Sequence, residues 1–126
     1  MAFSFRGILF DWAFTLVDLA DEDPRPAFVD LFEFLRHRGI ATPDFDEAFH
    51  RTQEMFYEMI ALSRETHREA CFEQVLKYFL LAYGIDLAGK TTLAELLTVY
   101  YKTLYGPRKP YADTVATLAQ LKSLGV

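Results

Sequence analysis

The chain is poor in the features that define several protein classes. It has a single cysteine, Cys71, so no intrachain disulfide framework is possible. It has no excess of positive charge. Eighteen acids outweigh thirteen Lys and Arg, the net charge is −5, and no basic stripe gathers on any segment. That distribution argues against nucleic acid or an anionic membrane as the main partner. No apolar run approaches the twenty or so residues of a membrane span. The short apolar stretch near the N-terminus is interrupted by Asp11 and lacks a signal-peptide cleavage pattern. A cytoplasmic location is therefore expected. The three histidines His37, His50 and His67 have no metal-ligand spacing and no cysteine partner, and read as polar-face residues.

What the chain has is apolar and aromatic material. Hydrophobic residues make up 52% of the 126 and aromatics 16%, enough to build one core or a small domain with an insertion, and too much for a disordered chain. Residues 5–10 are short, mostly apolar and not alternating, the pattern of a strand covered on both faces. After Asp18 the texture changes to LADEDPRP, acids and prolines that make a connection.

A helical run follows. Phe28, Leu31, Phe32 and Leu35 form one stripe, Pro26 suits a first turn and Gly39 is a stop. Asp44 and Glu47 have capping-box spacing at the head of a second helix with a stripe from Phe45 to Ile60. Thr66 and Glu69 suggest a second box and a third helix, with Phe72, Val75, Leu76 and Phe79 on its face and Gly84 at its end. A fourth starts near Thr92 and carries Leu96, Leu97, Tyr100 and Leu104. GPRKPY then breaks the pattern, and a last helix is predicted from Ala112 to Leu124, with Val115, Leu118 and Leu121 on one face. Cys71 lies one position from a stripe and is expected to be at least partly packed.

The chemical interest lies in ILFDWAFTLVD, an apolar run that ends abruptly in Asp11. In open parallel sheets ligands gather beyond the carboxyl ends of strands. A carboxylate there can attack as a nucleophile or bind a hard cation. An Asp that merely caps a turn is the plainer alternative. The stretch resembles the first motif of the haloacid dehalogenase-like (HAD) hydrolase superfamily, an apolar strand ending in Asp and followed by x-Asp-x-Thr with Leu and Val. Here that is Asp11, then Thr15, Leu16, Val17 and Asp18. KPYADTVATLAQLKSLGV is similar to the segment that returns from the helical cap to the core in that family.

The resemblance implies an α/β fold, a Rossmann-like parallel sheet core with an inserted helical-bundle cap. The chain itself would be mostly α-helical with an incomplete core. Residues 1–20 would be the first strand and catalytic loop, 21–107 the cap, and 108–126 the returning linker and helix. The resemblance also implies a small-molecule hydrolase of phosphatase, dehalogenase or phosphonatase type. Asp11 would be the nucleophile, Thr15 would support the loop, and Asp11 and the main-chain carbonyl of Ala13 would be ligands to Mg²⁺. Phe56, Tyr57 and Met59 could line the substrate side of the cap, and Arg36, Arg64 and Arg68 could reach an anion.

Two departures bear on the chemistry. Ala13 stands where phosphatases of the family carry a second Asp, and an alanine cannot protonate a leaving group. Substrates with good leaving groups should therefore react best unless another group supplies the proton. Phe14 stands where glycine is usual. The family's later motifs, a Ser or Thr, a Lys and an acidic pair, are not in these 126 residues, so the chain by itself is expected to bind Mg²⁺ weakly and to be inactive. The alternative is a catalytically inactive relative or a helical interaction module.

Overall fold

Five helices account for the regular structure of the computed structural model, which describes residues 7–13, 15–18, 22–106 and 108–125. They are α1 (Pro24–His37), α2 (Phe45–Thr66), α3 (Phe72–Ala82), α4 (Leu93–Leu104) and α5 (Thr114–Ser123). Two units divide them. One comprises Met1–Glu22 with Tyr105–Val126, the other Asp23–Leu104.

Local signals explain most helix ends in the Asp23–Leu104 unit. The Asp23 carboxylate accepts the Arg25 amide at 2.9 Å, and prolines occupy the first turn of α1, where no amide is needed. Asp44 accepts the Glu47 amide at 3.0 Å and starts α2. At α4 the box is reciprocal: Thr92 Oγ1 accepts the Glu95 amide and Glu95 Oε2 accepts the Thr92 amide. Helices α1 and α3 end alike. Gly39 and Gly84 take positive φ, +66° and +60°, and the following isoleucine amides donate back to Leu35 O and Leu80 O. Both are Schellman turns.

The core of this unit is aromatic and aliphatic. Phe28, Leu31, Phe32 and Leu35 of α1, Val75, Leu76 and Phe79 of α3 and Leu96 of α4 are fully buried. α1 packs against α4 and α2, and α2 packs against α3. Phe28 meets Phe32, Phe45, Phe49 and Phe79 at centroid distances of 5.2 to 6.1 Å, and Phe72 stacks on Tyr100 at 4.0 Å. Arg25 lies over Phe45 and Phe49 and pairs with Asp46, so its guanidinium serves ring and carboxylate at once.

Several expectations are corrected. The α/β class with a Rossmann-like parallel sheet does not describe this structure: the described residues form helices, with no strand and no sheet. Residues 7–10, the described part of the predicted strand, have no regular structure, and Ile8 and Leu9 are 49% and 99% exposed. A strand is held by its neighbours, because its amides and carbonyls pair between strands, and no neighbour stands beside these residues among those described. What remains is two isolated bridges, Ala13 with Val17 and Val17 with Pro110.

The Thr66–Glu69 box is also displaced. α2 runs without a breaker to Thr66, whose hydroxyl bonds back to Leu62 O, and α3 begins only at Phe72. Cys71, expected to be packed, is exposed at the N-cap of α3. In α5 Val115 is 65% exposed, Leu118 39%, and only Thr114 is buried.

Candidate functional site

The unit formed by Met1–Glu22 and Tyr105–Val126 carries the Asp11 loop. Its turn is tight because the amides of Leu16 and Val17 both donate to Trp12 O, at 3.0 and 3.2 Å. That turn returns Leu16 and Val17 to Trp12, and Thr15 Oγ1 donates to Asp11 Oδ2 at 3.2 Å. Both side chains are exposed. Phe14 lies outside the described residues.

The segment 108–114 holds this loop from its other side. The Leu16 carbonyl accepts two hydrogen bonds, from the Tyr111 amide at 3.2 Å and from Thr114 Oγ1 at 3.0 Å. The Asp18 amide donates to Lys109 O at 3.4 Å, and Val17, paired with Pro110, is 3% exposed. Pro110 has no amide to donate, so the bridge sits where a proline costs nothing further.

A cavity of about 150 Å³ opens where the loop meets the start of α5. Phe10, Thr15, Leu16, Asp113, Thr114, Thr117 and Leu118 line it. It is apolar at Phe10, Leu16 and Leu118 and polar at three threonines and one carboxylate. That mixture suits a small organic molecule with a polar reacting end. Thr15 therefore lines the cavity and also touches Asp11.

Asp113 is the site residue that the sequence pattern did not single out. It occupies the N-cap of α5, but unlike Asp23 and Asp44 its side chain makes no capping hydrogen bond. An Asp directly before a predicted helix reads as a cap, and that reading hid it. The signal available was its position in the returning segment, three residues past Pro110.

Asp11 and the Ala13 carbonyl are hard oxygen donors, the chemistry Mg²⁺ prefers. Among the described residues no group of three or more His, Cys, Asp and Glu is placed to hold a metal ion. Asp11 and Ala13 thus offer two oxygens of the right type, where Mg²⁺ takes six ligands.

The other residues considered lie in the Asp23–Leu104 unit. Tyr57 is 66% exposed, while Phe56 and Met59 are half-buried and pack against the core cluster. Arg36 donates to Thr42 Oγ1 and lies over Phe32. His50 pairs with Glu54 one turn along α2. A groove of about 340 Å³ along Phe34, Ala94, Glu95, Thr98 and Val99 has one charged lining residue, Glu95. The hydroxyl of Thr91 and then the amide of Thr92 hold that carboxyl below the usual glutamate range, so its lone pairs are already used in the cap of α4. No helix among the described residues is long and apolar enough to cross a membrane. No family model matches the chain, and no curated protein and no solved structure matches it significantly.

Proposed function

We propose that the chain carries the nucleophile loop of a haloacid dehalogenase-like hydrolase acting on a small molecule, with Asp11 as the attacking carboxylate. The observation that carries this reading is the Thr15–Asp11 hydrogen bond at the edge of a small cavity. A carboxylate fixed by one hydroxyl keeps lone pairs free for attack, and a rotamer held in place lowers the cost of reaching the reacting atom. The resemblance of Asp11, Thr15, Leu16, Val17 and Asp18 to the family's first motif supports it from the sequence side. The bond broken would be a phosphate ester, a carbon–halogen bond or a phosphonate.

Mg²⁺, held by Asp11 and the main-chain carbonyl of Ala13, would supply positive charge to offset an anionic transition state. Thr15 would position Asp11, and Leu16, anchored to Tyr111 and Thr114, would keep the loop in place. In the protein at its natural length, Asp11→Asn is expected to abolish release of phosphate or halide while leaving circular dichroism unchanged. Near-normal turnover in that folded variant would overturn the assignment.

A second reading, an inactive relative used as a helical interaction module, is favoured by two observations. Ala13 offers no carboxyl for leaving-group protonation, while the Asp23–Leu104 helices bury a core of their own. The same assay separates the two, since a wild-type protein that turns over no ester, halide or phosphonate supports the second.

A further inference from the structure

We propose that Asp113 is the general acid and base that the Ala13 position lacks, and that the substrates are phosphate monoesters of alkyl alcohols. This rests on Asp11 being the nucleophile. Three observations lead to Asp113. It lines the same cavity as Thr15, and Thr15 is hydrogen-bonded to Asp11, so one threonine links the cavity to the nucleophile. Its side chain is not consumed by capping, although it stands at an N-cap where Asp23 and Asp44 both make that bond. Its backbone is held independently of its side chain: the Asp113 carbonyl accepts the Thr117 amide at 2.9 Å, and Thr114 next to it is tied to Leu16 of the nucleophile loop. The residue is thus placed by backbone bonds at the cavity, with an exposed side chain that the cap does not use.

The chemistry balances with these two residues. An Asp11 carboxylate oxygen attacks phosphorus, and the bond to the alkyl oxygen breaks with its electron pair. The carboxylic acid of Asp113 gives its proton to that oxygen, and the alcohol leaves. Asp113, now a carboxylate, takes a proton from water as the water attacks the aspartyl phosphate. The phosphorus–Asp11 bond breaks, inorganic phosphate departs, and both side chains return to their starting states. An alkoxide is a poor leaving group and needs that proton, whereas a halide does not. A second carboxyl is therefore useful for an alkyl ester and idle for a carbon–halogen bond.

The cavity lining agrees with a small alcohol. Phe10 and Leu118 give it an apolar wall, and Thr117 offers a hydroxyl beside it. At about 150 Å³ it is smaller than a drug-sized pocket, which fits a short-chain alcohol.

The test uses the protein at its natural length with two substrates, glycerol phosphate as the alkyl ester and p-nitrophenyl phosphate as the aryl ester. Asp113→Asn should lower turnover of the alkyl ester by about 10²- to 10⁴-fold, the usual worth of a positioned acid or base. With the aryl ester, whose leaving group needs no proton, the same variant should release one equivalent of nitrophenol in a burst and then turn over slowly, because the water step still lacks its base. Asp113→Ser retains a good helix-capping side chain but no carboxyl. It should behave like Asp113→Asn, which a purely structural role would not produce.

Wild-type rates on the alkyl ester in either folded variant overturn the role of Asp113 and leave Asp11 untouched. Normal turnover in Asp11→Asn, or none in the wild type, overturns the nucleophile assignment and this inference with it.

Discussion

A hydroxyl that donates to a nucleophilic carboxylate slightly weakens it but holds it in one rotamer, and the second effect dominates when the reacting atom must be met within about 1 Å. At Thr15 the bond to Asp11 is 3.2 Å and exposed, so its electrostatic worth is modest and its positional worth is the larger. On the proposed role of Asp11, Thr15→Val should lower kcat on the order of tenfold with little change in KM, and Thr15→Ser should restore it; steady-state kinetics on the three proteins checks this. Glu95 gives a residue-scale prediction for stability. Its carboxyl is held below the usual range by the Thr91 hydroxyl first and the Thr92 amide second. A folded value below the unfolded one means that this stabilisation is present above the ordinary glutamate range and is lost as pH falls through the folded value. Glu95→Gln should therefore unfold at lower urea than wild type at neutral pH, and the gap should narrow as pH drops below about 4. A gap that stays constant or widens in acid would contradict it. Asp11 could be read in the sequence because it interrupts an apolar run; Asp113 could not, because an Asp that caps a helix and one that stands at an N-cap without capping look the same on paper.

At the scale of elements, legibility followed the chemistry of the ends. Gly39 and Gly84 were readable stops because positive φ is cheap for glycine alone, and both close Schellman turns in which Ile40 and Ile85 donate back across the last turn. A Cβ at Gly84 would meet nothing within 4 Å, so the cost of Gly84→Ala is conformational and should be about 1 kcal/mol, measurable as a lower urea midpoint with unchanged slope. The end of α2 escaped the reading because the left-handed residue there is His67, at φ 54°. Histidine carries no stop signal, and Thr66, which looked like a cap, spends its hydroxyl on Leu62 O. The predicted strand failed for a different reason. An apolar run specifies burial, but whether that burial is in a sheet depends on residues elsewhere in the chain that supply the ladder. Ile8, Leu9 and Phe10 stand exposed here, and the period of a run cannot announce the absence of partners. In α5 the Val115–Leu118–Leu121 face was legible as a stripe, yet a stripe fixes only which side is apolar and not that something covers it.

For the whole molecule, apolar burial among the described residues is concentrated in one of its two units. Apart from Val17, every buried hydrophobic among the described residues, from Ala27 to Leu104, belongs to Asp23–Leu104. That unit contains four helices with caps of their own and four phenylalanines clustered on Phe28. Its most extensive helix–helix contact joins α1 to α4, the first and last helices of the unit, and α1 against α2 and α2 against α3 complete the packing. A core closed within these residues favours independent folding. A chain of residues 23–104 alone is therefore expected to show helical circular dichroism and a single cooperative urea transition. Within it Phe28→Ala should remove about 3–5 kcal/mol, because the ring is fully buried and four other rings surround the space it would leave. A domain of this size has roughly 5–15 kcal/mol of stability in all, so the variant should be at or near the edge of folding at room temperature. Val29→Ala, one position along α1 and 37% exposed, is the control: it removes less buried surface and should cost well under half as much. A fragment that is unfolded, or one in which the two substitutions cost the same, would mean that the aromatic cluster does not hold this unit together.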